Sequence, residues 1–305
     1  MKGLPRLMLG TAPLGGLFEP VSDEAAAQTL EAAWQAGIRA FDTAPHYGVG
    51  LSEQRLGAFL ATKPRSEYVL STKVGRLLVP AQGPVEGSEN FYGTLPLTRV
   101  WDFTADGARR SLEQSLERLG LDRIDIALIH DPDDFAQQAL DGAYPALADL
   151  CSQGVIDAIG VGMNQPELPE WFVRNADLDC VLIAGRYTLL DQSAATSLLP
   201  VCLERSVAVL AGGVFNSGIL ADPQPGKTYD YRPASPELIG RAQAIRDLCG
   251  EYDVPLGAAA LQFTLAHPAI STAVVGARTA AEITEDAGYL GIEVPPALLD
   301  ALAII

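Results

Sequence analysis

The sequence predicts an α/β fold, a (β/α)8 barrel, from three observations. Short apolar runs alternate with longer segments of helical periodicity along the 305 residues. The short runs are continuously apolar, as in a parallel sheet covered by helices. About eight such pairs fit one closed barrel better than two open sheets. The Gly-x-Gly-x-x-Gly fingerprint of an open sheet does not follow the first run, because Pro13 interrupts the expected helix start.

The elements follow from local patterns. The predicted strands are 7–11, 38–42, 68–73, 124–130, 155–161, 180–183, 207–210 and 272–276. Ser22 and the acids after it begin the first helix, Gly37 ends it, and Thr104 begins another with leucines at helical spacing. The predicted helices are 25–36, 52–61, 104–119, 141–153, 192–204, 236–251, 256–266 and 279–290.

Two connections are too long and too rich in glycine and proline to be plain turns. They span residues 75–100, which include Pro84 and Phe91, and residues 222–233, which include Tyr231. Both follow predicted strands and should therefore emerge at the carboxyl-terminal face of the barrel. We expect them to shape the active site of a single domain covering residues 1–305, since no linker or low-complexity segment interrupts the chain.

Composition excludes several classes of protein. A hydrophobic fraction of 48% suits a large core, and a net charge of −17 would repel nucleic acid and anionic membranes. The four cysteines have no Cys-x-x-Cys spacing and only three histidines occur, so no metal site is expected. No run resembles a signal peptide or a membrane span, and we expect a cytoplasmic protein that is a monomer or a small homo-oligomer.

Polar residues end three of the apolar runs. Asp42, Lys73 and His130 are these residues, and Tyr47 lies in the loop just beyond Asp42. Taken singly, each has a structural explanation: a turn cap, an extended lysine or a core histidine. Because the carboxyl ends of barrel strands meet at one mouth, the four side chains should instead converge there as a catalytic set.

This set suits hydride transfer at a carbon whose oxygen must gain or lose a proton in step. A tyrosine with an ordinary pKa of about 10 is a poor base near neutrality, and a neighbouring ammonium favours its phenolate. We therefore expect Asp42 to orient Lys73, and Lys73 to tune Tyr47. His130 should donate a hydrogen bond to the substrate oxygen.

The longest motifs resemble the signature of the aldo-keto reductase superfamily, in that family's order and from about residue 7 to 290. The segments are 9–12, 37–48, 71–74 and 121–130. The resemblance implies a TIM barrel, NADP or NAD bound in extended form, and the catalytic tetrad Asp42, Tyr47, Lys73 and His130.

Other segments resemble the L-fucose dehydrogenase, or D-threo-aldose 1-dehydrogenase, group within that superfamily. These segments are 101–104, 130–134, 160–165, 184–191 and 211–220. The resemblance implies oxidation of the anomeric hydroxyl of a sugar such as L-fucose to the lactone, with Tyr47 as acid and base. The alternatives are a pyridoxal 4-dehydrogenase or a general NADPH-dependent aldehyde reductase and, from another class, a nucleotide-binding regulatory subunit with little turnover.

The same resemblance implies the binding residues. The cofactor set is Gly10, Thr11, Asp42, Asn164, Phe215, Ser217, Gly218, Leu220, Gly276, Ala277, Arg278, Thr279, Glu282 and Asp286. Arg278 is expected to neutralise a 2′-phosphate, and Phe215 to replace the tyrosine that stacks on nicotinamide in many relatives. For the substrate we expect contacts from His46 and His130, and an apolar wall from Phe18 and Trp101.

Overall fold

The computed structural model describes residues 3–83, 85, 87–230 and 232–303. Its strands are β1 (Leu7–Gly10), β2 (Ala40–Asp42), β3 (Val69–Val74), β4 (Arg76–Pro80), β5 (Leu97–Trp101), β6 (Ile124–His130), β7 (Ile156–Met163), β8 (Cys180–Ala184), β9 (Ala208–Gly212), β10 (Thr228–Tyr229), β11 (Arg232–Pro233) and β12 (Ile270–Gly276). Eight of them close into a parallel barrel in the spatial order β1-β12-β9-β8-β7-β6-β3-β2. The predicted TIM barrel is confirmed.

Helices cover the outside of this barrel. They are α1 (Asp23–Gln35), α2 (Leu51–Leu60), α3 (Ala105–Leu119), α4 (Ala136–Gln138), α5 (Tyr144–Ser152), α6 (Glu167–Asn175), α7 (Leu198–Arg205), α8 (Pro236–Glu251), α9 (Leu256–Ala266), α10 (Ala280–Gly288) and α11 (Pro296–Leu302). Ser22 and Thr104 cap α1 and α3 as expected, each accepting a hydrogen bond from a backbone N–H in the first turn.

Three of these helices were not predicted from the sequence: α6, α11 and the three-residue α4. Helix α6 has only nine residues and carries Pro169 as its third, which breaks the apolar pattern although proline is tolerated in the first turn. Helix α11 has seven residues and begins at Pro296. The helix predicted to begin at 192 begins at Leu198, because residues 193–196 form a 3-10 turn before it.

The two long connections contain short strands that the sequence analysis described only as loops. Strands β4 and β5 pair antiparallel within the 75–100 segment, and β10 pairs with β11 within the 222–233 segment. We call the β4–β5 unit the lid hairpin. Both hairpins follow barrel strands, β3 and β9, at their carboxyl ends. Pro84 and Tyr231 lie outside the described residues.

Both faces of the barrel strands are buried, which explains their continuous apolar sequence. An inner cluster fills the barrel, and a larger outer cluster lies between strands and helices. The inner cluster consists of Met8, Ala40, Ile126, Leu128, Ala158, Cys180, Leu182, Ala208, Leu210 and Val274. Among the described residues, no helix is long and apolar enough to cross a membrane.

Candidate active site

Strand register places the predicted catalytic residues at one end of the barrel interior. Side chains alternate along a strand, so Asp42 shares the inward face of Ala40, and His130 shares that of Leu128. Lys73 is paired in register with Leu128 and therefore also faces inward. The three polar side chains continue the inner cluster at the mouth of the barrel.

Lys73 connects this group. Its Nζ donates hydrogen bonds to Asp42 Oδ2 at 2.7 Å, to the Thr43 carbonyl at 2.9 Å and to Tyr47 Oη at 3.0 Å. The side chain is only 1% exposed, and burial alone would lower the pKa of Lys73. Asp42 and Tyr47 outweigh burial and hold that pKa above its ordinary value, so the ammonium persists at neutral pH.

Asp42 is fixed by its other oxygen, which accepts a hydrogen bond from Ser71 Oγ at 2.5 Å. The turn after Tyr47 is fixed by sterics. Gly48 has a φ of 61°, and a Cβ there would stand 2.3 Å from the Gly15 carbonyl oxygen. A glycine is therefore required beside the phenol.

His130 packs against Tyr47. Its ring meets that of Tyr47 edge-on, with the centroids 6.1 Å apart, and the residue is 6% exposed. Burial, reinforced by the positive charges of Arg76 and Lys73, holds the pKa of His130 well below its usual range. The imidazole is therefore neutral at physiological pH and carries one N–H, which can donate to a substrate oxygen.

A cavity of about 350 Å³ opens onto these groups. It is lined by Ala12, Leu17, His46, Tyr47, Lys73, Arg76, Glu89, Asn90, Phe91, His130, Asp131, Gly162, Met163, Asn164, Leu182 and Ala184. Phe91, from the lid hairpin, stacks on Tyr47 with the centroids 6.3 Å apart. The sequence analysis named Phe91 only as part of a long loop.

The lid hairpin contributes charged residues that the sequence analysis missed. Arg76 Nη2 donates to Asp131 Oδ2 at 2.5 Å, and Arg76 Nη1 lies 3.6 Å from Glu89. Glu89 also lies 3.8 Å from Arg99 Nη1 and 3.5 Å from His46 Nε2. The available signal was the pair of arginines, Arg76 and Arg99, in strands that are otherwise mostly apolar.

The residues expected to contact the substrate separate into two groups. His46 and His130 line the cavity. Phe18 and Trp101 do not line it; the neighbour Leu17 does, and Phe18 N donates to the Asn90 carbonyl. Trp101 is 43% exposed, with its ring 5.6 Å from the guanidinium carbon of Arg76.

The residues expected to hold the cofactor occupy several strand ends. Thr11 is fully buried, and its hydroxyl donates to the Asp42 carbonyl while accepting from Ser52. Gly10 precedes it at the end of β1, and Asn164 lines the cavity just after β7. Thr11 therefore links the carboxyl end of β1 to that of β2 by a side-chain hydrogen bond.

After β9 the chain makes a tight turn that carries four of the expected residues. The Phe215 carbonyl accepts from both Gly218 N and Leu220 N at 3.0 Å. Ser217 is exposed and has a φ of 56°. Asn216 Oδ1 is buried and has no hydrogen-bond partner among the described residues, as expected of a group that a ligand would satisfy.

After β12 the chain enters α10 through Gly276, Ala277 and Arg278. Thr279 caps this nine-residue helix by accepting from Glu282 N. The Glu282 carboxylate accepts from Arg278 N at 2.7 Å, and Arg278 Nη1 pairs with Glu19 at 3.0 Å. Helix N-termini bind phosphate through free N–H groups and the helix dipole, and here the N–H groups of Arg278 and Glu282 already have acceptors within the chain.

Asp286 lies one turn further along α10 and is 8% exposed. Burial, with the nearby Glu285 and Glu282 charges, raises the pKa of Asp286 to about 7. The unpaired Asn216 oxygen fits a ligand at the β9 end of the mouth. No cluster of three metal-ligating side chains occurs in the described ranges.

Comparison with known proteins identifies the family. The model of the aldo/keto reductase family matches residues 6–303. The chain is 47% identical to a D-threo-aldose 1-dehydrogenase of Pseudomonas sp., over 98% of this chain and 93% of that protein. It is 40% identical to a pyridoxal 4-dehydrogenase of Microbacterium luteolum, over 95% and 90% of the two chains.

A glycerol dehydrogenase structure from Gluconobacter oxydans superposes with a TM-score of 0.79 at 25% identity, covering 100% of this chain and 92% of that one. The family match, the barrel and the sequence identity agree with the motif resemblance. The chain belongs to the aldo/keto reductase family and is an NAD(P)-dependent oxidoreductase.

Proposed function

We propose that this protein is an aldose 1-dehydrogenase that oxidises the anomeric hydroxyl of a closed pyranose, such as L-fucose, to the lactone. The observation that carries the proposal is the Tyr47 phenol, 3.0 Å from the buried Lys73 ammonium, at the edge of a cavity of about 350 Å³. The 47% identity to a protein named D-threo-aldose 1-dehydrogenase supports the same substrate class.

The charges around the cavity favour a neutral, hydroxyl-rich substrate. Three cations are each matched by a carboxylate: Lys73 by Asp42, Arg76 by Asp131 and Arg99 by Glu89. Among the described residues of this wall, no cation is left over for a phosphate or carboxylate substrate. Carboxylates, imidazoles and asparagines suit hydroxyl groups, while an apolar wall suits the C–H face of a sugar ring.

In the oxidative direction Tyr47 is the proposed base. The Lys73 ammonium stabilises its phenolate form, which takes the proton of the anomeric hydroxyl and becomes the phenol. Asp42 holds Lys73 in place, and His130 donates its N–H to the reacting oxygen. The bound nicotinamide supplies the hydride-accepting carbon. In reduction the proton returns from Tyr47 to the carbonyl oxygen.

Either NADP or NAD is the proposed cofactor. The residues that would hold it are those of the β9 and β12 ends, together with Asn164 beside the cavity. We expect Arg278 to pair with a 2′-phosphate after exchanging its contact with Glu19, which is a surface carboxylate. Glu282 and Asp286 are expected to accept from the adenine amino group.

A second candidate function is oxidation of the pyridoxal hemiacetal, favoured by the 40% identity to a pyridoxal 4-dehydrogenase. It uses the same Tyr47, Lys73 and His130 chemistry on an aromatic substrate. The cavity wall argues for the sugar, because Asp131, Glu89 and Arg76 offer several hydroxyl contacts.

The proposed compartment is the cytoplasm. Cys151, Cys180, Cys202 and Cys249 are all free thiols, as a reducing compartment would maintain them. The oligomeric state is expected to be a monomer or a small homo-oligomer, which sedimentation of the purified protein would establish.

A substrate panel tests the function. The rates of NADPH and NADH formation would be measured with L-fucose, D-arabinose, L-galactose and pyridoxal, and NADPH consumption with simple aldehydes. The proposal expects the highest kcat/KM for an aldose. Preference for pyridoxal would favour the second candidate, and preference for simple aldehydes would reject both. The Tyr47→Phe variant is the control, since it removes the proposed base.

A further inference from the structure

Asp131 has a backbone conformation that an ordinary strand end would not require. It follows β6 directly and has a φ of 43°, in the left-handed region, with its N–H bonded to the Gly162 carbonyl at 3.1 Å. Such conformations are costly for residues other than glycine and concentrate at functional sites. Here the turn places Asp131 on the cavity wall next to His130, and its carboxylate reaches Arg76.

Arg76 holds that carboxylate. It is the first residue of the lid hairpin, is 8% exposed and donates to Asp131 Oδ2 at 2.5 Å. Its Nε is buried and has no hydrogen-bond partner among the described residues. A buried ion pair of this kind adds little stability by itself, which favours a recognition role for the pair.

The Asp131–Arg76 ion pair lies close to the site where the reacting oxygen is proposed to bind. Asp131 Oδ2 lies 3.5 Å from His130 Nε2. His130 is the residue proposed to donate its N–H to the reacting oxygen. Neighbouring hydroxyl oxygens on a pyranose are about one hydrogen-bond length apart. An anomeric hydroxyl held by His130 and Tyr47 therefore brings one of its two neighbours, the ring oxygen or the C2 hydroxyl, to Asp131.

We propose that the Asp131 carboxylate, oriented by Arg76, accepts a hydrogen bond from the C2 hydroxyl of the sugar and selects substrates that carry it. The ring oxygen has no proton to donate and would be repelled by a carboxylate, so the C2 side of the ring faces Asp131. The charge on the acceptor makes this contact stronger than one between neutral groups. The inference rests on the proposed aldose 1-dehydrogenase function.

A different role for Asp131 would be to orient His130 alone. That role would affect every substrate equally, because all of them use His130 at the reacting oxygen. Binding of the C2 hydroxyl affects only substrates that possess it. The two roles therefore differ in how a substitution at Asp131 combines with removal of the C2 hydroxyl.

The test measures kcat and KM for the best aldose of the panel and for its 2-deoxy derivative, in wild type and in Asp131→Asn. Asparagine tolerates the left-handed conformation at this position. Wild type should prefer the parent sugar by about 10- to 100-fold in kcat/KM. Asp131→Asn should lose most of that preference, mainly through a higher KM for the parent sugar, because kcat/KM for the parent sugar should fall by a larger factor than kcat/KM for the 2-deoxy sugar.

Two further variants complete the design. Asp133→Asn, an exposed acid two residues away, is the matched control and should keep the preference. Arg76→Lys keeps the charge but loses the guanidinium fork, and should lower the preference in the same direction. It also gives a second measurement if Asp131→Asn lowers the melting temperature.

The outcomes separate the two proposals. If wild type oxidises no aldose, the proposed function fails, and this inference fails with it. If wild type oxidises the aldose but Asp131→Asn slows the parent and 2-deoxy sugars by equal factors, the C2 assignment is overturned while the function stands. A wild type without preference between the two sugars would also overturn it.

Discussion

The mouth of the barrel has two sectors that differ in how many of their polar groups already have hydrogen-bond partners within the protein. In the catalytic sector, at the ends of β2, β3 and β6, Lys73 Nζ has three acceptors within 3.0 Å and is almost fully buried. In the nucleotide sector, at the ends of β9 and β12, Asn216 Oδ1 has no partner among the described residues, and Arg278 pairs with a surface carboxylate.

This difference indicates which sector should affect turnover and which should affect ligand affinity. The fold has already assembled the group proposed to move the proton, so little reorganisation should be needed there when substrate binds. The nucleotide sector instead keeps polar groups that a ligand would satisfy. Substitutions in the catalytic sector should therefore reduce turnover, and substitutions in the nucleotide sector should change affinity.

The largest expected effect is that of Tyr47→Phe. The variant keeps the ring stacked near Phe91 and loses only the hydroxyl that transfers the proton, so kcat should fall on the order of 10²- to 10⁴-fold. Cofactor affinity, measured by fluorescence titration, should change little. Substantial remaining kcat would reject Tyr47 as the acid and base.

Lys73→Met tests whether the catalytic sector is assembled by its own charges. The variant should lose activity, and it should also unfold more easily by about 3 to 5 kcal/mol, because Asp42 would remain as a buried, unpaired charge. The double variant Asp42→Asn with Lys73→Met should recover much of the stability in denaturant titration and none of the activity. Activity regained in Lys73→Met simply by raising the pH would show that Lys73 acts on the phenol's ionisation.

Arg278→Ala tests the nucleotide sector. Loss of the guanidinium should lower the affinity for NADP by about 10- to 100-fold and leave the affinity for NAD nearly unchanged, since only NADP carries the 2′-phosphate. Calorimetry with both cofactors measures the ratio. Arg246→Ala is the control, because Arg246 is an exposed arginine that is likewise paired with an acid. An equal loss of affinity for NADP and NAD would show that Arg278 contacts the pyrophosphate common to both cofactors or supports the turn before α10.

The smallest effect concerns Asp286 and the pH dependence of stability. Its pKa of about 7 in the folded protein exceeds the ordinary value of 3.8, so the folded state retains a proton that the unfolded chain releases. This group therefore lowers the free energy of unfolding as the pH rises from about 4 to about 7, and the loss is complete above that.

The variant Asp286→Asn should remove this penalty. It should stabilise the cofactor-free protein on the order of 2 kcal/mol at pH 8 and have little effect near pH 4. Thermal unfolding at the two pH values measures the difference, with Asp300→Asn as the exposed control. Equal effects at both pH values would show that Asp286 is ionised in the folded protein.

The sequence predicted the catalytic sector better than the lid hairpin. Asp42, Lys73 and His130 each end an apolar strand, and strand alternation alone directs them to the barrel mouth. The pairing of β4 with β5 depends on contacts between residues far apart in sequence, which local patterns do not report. Phe91 and Arg76 reach the cavity only through that pairing.

Other features depended on backbone geometry or on the ligand. The left-handed turn at Asp131 leaves no signal in a single sequence, because aspartate occurs in many conformations. In the nucleotide sector the motif resemblance supplied Phe215 and Arg278. The strand pattern alone does not distinguish them from ordinary loop residues, since their roles require a bound nucleotide.

The proposed mechanism requires Tyr47 to remove the proton of an anomeric hydroxyl on a closed ring. NMR of the early reaction mixture, with L-fucose and NADP or NAD, tests it most directly. The account predicts that the lactone appears first and hydrolyses to the acid later, with an oxidative rate that rises with pH until Tyr47 is ionised. Formation of the acid without a lactone, together with rapid NADPH-dependent reduction of simple aldehydes, would contradict it.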